Sequence, residues 1–189
     1  MVEATEELVK IYLEQNGYIV TTSKRVDAKT FPSAPRAEVD IVAIKTGRGQ
    51  TNNLPLRIVG EVKSYSVDAR GFEELDKQLR KKYNYISRTE YARFKWINNK
   101  EYRKEILESL RKEYSYDDFK FVLFCSGIKP KKYEKEIKDY LNGEDIFILK
   151  HSEILKWLFD NRTNEYTDHQ ILQLIRLIKL NTSKIEFKL

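Results

Sequence analysis

The apolar positions Ala4, Leu8, Ile11 and Tyr12 recur at helical spacing and predict an amphipathic helix over 3–16, stopped by Asn16-Gly17. Tyr18-Ile19-Val20-Thr21-Thr22 then reads as a strand. Two further apolar runs, Glu38 to Ile44 and Leu56 to Lys63, read as strands as well. A proline-bearing loop, Phe31-Pro32-Ser33-Ala34-Pro35, precedes the first of them, and the turn-rich stretch Thr46 to Asn53 separates the two. Helices are predicted over 71–86 and 88–113, the second interrupted near Asn98-Asn99. Beyond them come a strand from Phe119 to Cys125, a helix from Lys131 to Leu141 and a strand from Asp145 to Leu149. A helix from Ser152 to Phe159 and a final amphipathic helix from about Asp168 to Leu180 complete the pattern. With no internal repeat or interdomain linker, residues 1–189 are expected to form one α/β domain. The alternation of strands and helices predicts a mixed sheet with helices on both faces.

Two of these apolar strands contain charges. Asp40 lies in Glu38-Val39-Asp40-Ile41, and Glu61 and Lys63 lie in Gly60-Glu61-Val62-Lys63. Charged groups are rarely buried unless paired or bound to a metal. Glu61 and Lys63 are two apart and project from one strand face. If the two strands pair, Asp40 joins them in one small site. Two carboxylates there can hold a hard divalent cation, and the ammonium can orient a water or stabilise growing negative charge. Taken singly, Lys63 also reads as an edge-strand lysine that discourages aggregation.

An acid on one strand, a gap, and Glu-X-Lys on the next resembles the PD-(D/E)XK nuclease superfamily; Val39 stands where that signature has proline. The order helix, three strands, helix, strand resembles the family's restriction-endonuclease-like αβββαβ core, here covering about residues 3–125, with a C-terminal αβα extension over 126–189. Gly17-Tyr18-Ile19-Val20 is similar to the strand entry of archaeal Holliday-junction-resolvase-type members, which carry a glutamate on the first helix. By spacing that glutamate is Glu6, with Glu3 and Glu7 as competitors and simple N-terminal helix charge as the alternative.

The resemblance implies a Mg²⁺- or Mn²⁺-dependent deoxyribonuclease, an endonuclease and a homodimer. Asp40, Glu61 and the carbonyl of Val62 would be the metal ligands, with Glu6 completing the set and Lys63 serving catalysis. Gln78 matches a glutamine found on the next helix in several branches; an exposed glutamine without a role is the alternative. Tyr83 follows Gln78 one residue later than the family's tyrosine does. The rival readings are a nucleic-acid-binding or structural protein on an inactive nuclease fold, and an RNA-processing nuclease. DNA, branched or single-stranded forms included, is the expected partner.

Charge sharpens this picture. The chain has a net charge of +6, yet Lys77 to Lys112 contains twelve basic and four acidic residues, a local balance of +8 that leaves −2 elsewhere. Such a region favours a polyanion. Arg80, Lys81, Lys82, Arg88 and Arg93 are the expected phosphate contacts, with Arg48 at the Gly47-Arg48-Gly49 tip. Tyr83, Tyr85, Tyr91, Phe94, Trp96 and Tyr102 interleave that region and suit either base stacking or core packing.

The remaining residues exclude other chemistry. The single cysteine, Cys125, sits in an apolar run and is expected to be buried and inert. His151 and His169 lack partners at zinc spacing and are expected at the surface or as caps. There is no apolar run of membrane-spanning length, and the N-terminus reads as an acidic helix rather than a signal peptide. A cytoplasmic location is expected.

Overall fold

The computed structural model describes residues 4–27, 36–46, 54–83, 99–161 and 169–181. Helix α1 (Ala4–Gln15) leads through Gly17, whose φ of 82° ends the helix without steric strain, into β1 (Tyr18–Asp27). Strands β2 (Arg36–Lys45) and β3 (Arg57–Val67) follow. Helices α2 (Glu73–Tyr83) and α3 (Lys100–Tyr114) precede β4 (Lys120–Ile128). Helix α4 (Glu134–Gly143), β5 (Ile146–Lys150), α5 (His151–Asn161) and α6 (Gln170–Asn181) follow, and short 3-10 turns lie at Ala69–Gly71 and Lys131–Tyr133. The part of the second predicted helix before Asn99 lies outside the described residues.

The five strands stand in the order β1-β2-β3-β4-β5. β1 with β2 and β2 with β3 run antiparallel, while β3 with β4 and β4 with β5 run parallel. Parallel neighbours need crossovers; α2 and α3 supply the first and α4 the second. The protein is therefore α/β, with a mixed five-stranded sheet flanked by helices. β1 runs to Asp27, beyond the predicted end at Thr22, because the ladder with β2 continues to Asp27↔Arg36. Backbone pairing does not require apolar side chains, so alternation alone missed this half of the strand.

Two apolar layers sandwich the sheet. On one face Val59, Leu123 and Cys125 pack against Leu75 and Leu79 of α2, Ile106 and Leu110 of α3, and Ile137 and Leu141 of α4. On the other, Ile41, Ile58, Val62 and Phe124 pack against α1, α5 and α6. Leu75 and Leu79 are four apart, so α2 presents one apolar stripe inward. Asn99 caps α3 by accepting the Tyr102 N–H at 3.0 Å.

The alternation of β2 changes phase at Asp40. Ala37 and Val39 belong to the α2–α4 layer, whereas Ile41 and Ala43 belong to the opposite one. The neighbouring strand accommodates this at Ser23, which lies between the partners Thr22↔Ile41 and Lys24↔Val39 and has a φ of 50°.

His151 departs from the expected surface role. It begins α5 with only 7% of its surface exposed. Among the described residues its Nε2 has no hydrogen-bond partner. Burial pushes the imidazole pKa down from 6.5. Cys125 is buried as expected, and burial raises its thiol pKa to about 11.

Two measurements check this packing. A Cβ added at Gly60 would lie 2.8 Å from Cε2 of Phe124 and 2.9 Å from Cβ of Ile41. Gly60→Ala is predicted to destabilise the fold by about 1–3 kcal/mol, seen as a lower urea midpoint at unchanged slope. For His151, the unfolded state takes up a proton near pH 6.5 while the folded state resists until lower pH. Wild-type stability is therefore predicted to fall, relative to His151→Leu, as pH drops from about 7 to 5. A stability difference that stays constant across that range would contradict the assignment.

Candidate active site

β2 and β3 pair only from Ile44↔Arg57 to Ile41↔Gly60. Beyond that point β2 continues along β1, as far as Arg36, and β3 continues along β4, as far as Val67. The sheet thus opens into a notch whose first residues are Asp40 on one side and Glu61 on the other. The tight contact at Gly60 explains the geometry: Phe124 and Ile41 close over it, and no side chain intervenes before the strands part.

Asp40 bridges the notch. Its Oδ2 accepts the backbone N–H of Val62 at 2.7 Å, replacing the ladder bond that β2 no longer provides. Glu61 is only 8% exposed and pairs with the Lys63 ammonium. Burial opposes the charge on Lys63, but the Glu61 carboxylate, with Asp40 adding to it, outweighs that effect and raises the lysine pKa above its ordinary value. Lys63 therefore remains charged at neutral pH. Lys63 lies beyond the last β2–β3 pair, where β3 is paired with β4 and its other side borders the notch.

The structure brings together Asp40, Glu61, Val62 and Lys63, and treats the other sequence candidates differently. Glu6 is half-buried on α1, in the layer that holds Ile41 and Val62. Glu61 and Lys63 alternate with Val62 and so face the α2–α4 layer. Among the described residues, no group of three or more His, Cys, Asp or Glu side chains is arranged to hold a metal ion. Glu7 engages His169 Nε2 at 3.0 Å, and Glu3 lies outside the described residues. Gln78 is exposed on α2, in the same layer as Glu61.

The basic region divides. Arg80 is tied to Asp76 at 2.6 Å, and Lys100 and Arg103 both pair with Glu144 beside the start of β5. Lys81 and Lys82 are exposed at the end of α2. Arg48, Arg88 and Arg93 lie outside the described residues, as do Tyr85, Tyr91, Phe94 and Trp96. Tyr102 is a core residue.

Lys150 is a neighbour that sequence reasoning missed. The register runs Lys63↔Cys125↔Lys150, which sets the two lysine backbones about 10 Å apart at ordinary strand spacing. Lys150 pairs with Glu134 at 2.6 Å. Hydrogen bonds from Lys150 and Lys138 pull the Glu134 carboxyl down to about 2. No local signal announces this neighbourhood, since it arises only from the parallel register.

The donor set suits one kind of metal. Each carboxylate offers about four lone-pair sites, so the bonds to Val62 and Lys63 leave Asp40 and Glu61 able to share a cation. Magnesium-like ions keep several waters and need only one or two carboxylates. Two carboxylates with waters would match the usual ligand set of such an ion.

The Asp40 bond carries a stability prediction. Asp40→Ala leaves the buried Val62 amide without its acceptor, and is expected to cost about 1–3 kcal/mol. Asp40→Asn keeps an acceptor oxygen and should unfold within about 1 kcal/mol of wild type in urea.

Searches of family models, curated proteins and solved structures return no match to this chain.

Proposed function

We propose that this chain is a metal-dependent nuclease that hydrolyses phosphodiester bonds, acting on DNA and cutting internally. The observation that carries the reading is the convergence of Asp40, Glu61 and Lys63 on the notch between β2 and β3, at the residue where those strands separate. The element order and mixed sheet support a likeness to the αβββαβ core of the PD-(D/E)XK superfamily.

In this reading Asp40 and Glu61 hold a Mg²⁺ or Mn²⁺ ion. By the resemblance, the Val62 carbonyl would join them as a third ligand. When bound, the metal supplies an activated water and neutralises charge on the phosphate. Lys63, kept cationic by its two acidic neighbours, orients that water or donates hydrogen bonds to the phosphate oxygens as negative charge grows on them. Glu61 holds the Lys63 ammonium in place for this role. Glu6 and Gln78 take supporting positions on α1 and α2. A homodimer in the cytoplasm completes the proposal; among the described residues no helix is long and apolar enough to cross a membrane.

The test uses supercoiled, linear, single-stranded and four-way-junction DNA, with an RNA arm, each in Mg²⁺, Mn²⁺ or chelator. Asp40→Asn and Glu61→Gln are expected to lower cleavage by at least about a hundredfold at equal folded fraction. Lys63→Ala is expected to lose activity by several orders of magnitude while metal affinity, measured calorimetrically, persists, because a charged lysine offers no ligand lone pair. Cleavage at wild-type rate by any of the three would sink the assignment. Nucleic-acid binding without metal-dependent cleavage would favour the inactive-fold reading, and preference for RNA the processing reading.

A further inference from the structure

We propose that the turn between β4 and α4, together with the last turn of α2, forms a phosphate-binding saddle for the nucleic-acid backbone beside the notch. The inference rests on the nuclease reading and extends it to residues outside the Lys77–Lys112 basic region.

Lys129, Lys131 and Lys132 are exposed in the turn, and Lys135 is exposed on the first turn of α4. The Lys129 N–H donates to the Val67 carbonyl at 2.9 Å, which fixes the turn to the end of β3. Val67 is four residues beyond Lys63, but the register shift between Lys63 and Ser66 matches them to Ile128 and Cys125, three residues or about 10 Å apart along β4. At about 3.4 Å of rise per nucleotide, that length corresponds to roughly three nucleotides of one strand. The turn thus stands one short reach of backbone away from the candidate site.

Aromatic packing joins the turn to α2. The Tyr133 ring is buried and lies 5.5 Å from the Tyr83 ring. The Tyr83 hydroxyl donates to Glu136 at 2.9 Å. Each tyrosine also carries a lysine: Lys82 Nζ is 4.9 Å from the Tyr83 ring centre, and Lys132 Nζ is 4.7 Å from that of Tyr133. Cation–π attraction holds both ammonium groups over the paired rings. Lys81 is exposed in the same turn of α2.

The acids of this segment already have partners, Glu134 outside the saddle and Glu136 within it, beside Lys82 and Lys135. Glu134 binds Lys138 and Lys150, and Glu136 accepts from Tyr83. From Lys129 to Lys138 the chain holds five lysines and two glutamates, a surplus of +3 hidden inside a remainder that sums to −2. Exposed ammonium groups on a rigid frame, next to a site for phosphodiester chemistry, match a polyanionic backbone and carry no base information.

The experiment is a salt titration of binding to fluorescent duplex and single-stranded DNA in Ca²⁺, for wild type and for Lys129→Gln/Lys131→Gln/Lys132→Gln. The triple variant is expected to bind at least about tenfold more weakly at low salt, equally for unrelated sequences. Its slope of log affinity against log salt should shrink by about 0.9 for each lost duplex contact. Lys→Arg at the same positions should retain the wild-type slope. Unchanged affinity and slope in the glutamine variant, with wild type binding normally, would overturn the saddle alone. Salt-dependent binding that needs these lysines, without metal-dependent cleavage, would uphold the saddle and remove the nuclease reading. Binding to anionic vesicles but to no nucleic acid would overturn both.

Discussion

The local structure depends on where β2 and β3 stop pairing. An antiparallel ladder satisfies the backbone groups along both strands, so ending it inside a sheet leaves polar groups that need other partners. Here the ladder ends at Ile41↔Gly60, and the Asp40 carboxylate takes over by accepting the Val62 amide. That exchange draws an acid into the interior and aligns it with Glu61 across the notch. The glycine is the complement of the acid. Phe124 and Ile41 close over Gly60, which lets the strands approach tightly just before they part.

Electrostatics then constrain the site. Glu61 is buried on the central strand, where an isolated carboxylate would be strongly disfavoured. Lys63, two residues on, projects to the same side and neutralises it. The arrangement leaves two acids and one base sharing a small, partly desolvated space. A divalent cation would relieve the carboxylates, and the lysine would then be available to a phosphate. Structural roles and proposed catalytic roles thus fall on the same three side chains.

Much of the framework was legible from periodicity. Leu8, Ile11 and Tyr12 marked α1 because a helix buries one stripe, and the apolar runs around Val42, Val59 and Leu123 marked strands buried on both faces. The pairing of Asp40 with the Glu61 strand was legible because charges inside apolar strands demand partners. The position of Glu6 relative to that pair was not. Spacing along α1 says which residues share a helix face, but not which face of the sheet the helix covers. The pairing within the basic region was not legible either. Charge summed along the chain ignores pairing, and Arg80, Lys100 and Arg103 each meet an acid.

By itself the sequence determined the elements, the α/β class and the candidacy of Asp40, Glu61 and Lys63, because these follow from local hydrophobic period and the rarity of charge in apolar strands. Tertiary structure alone decided the phase change at Asp40, the burial of His151, the row Lys63–Cys125–Lys150 and the joining of Tyr83 to Tyr133. Each of these depends on register or packing between segments distant in the chain. Such contacts are set by how strands align and layers close, and no local pattern encodes them.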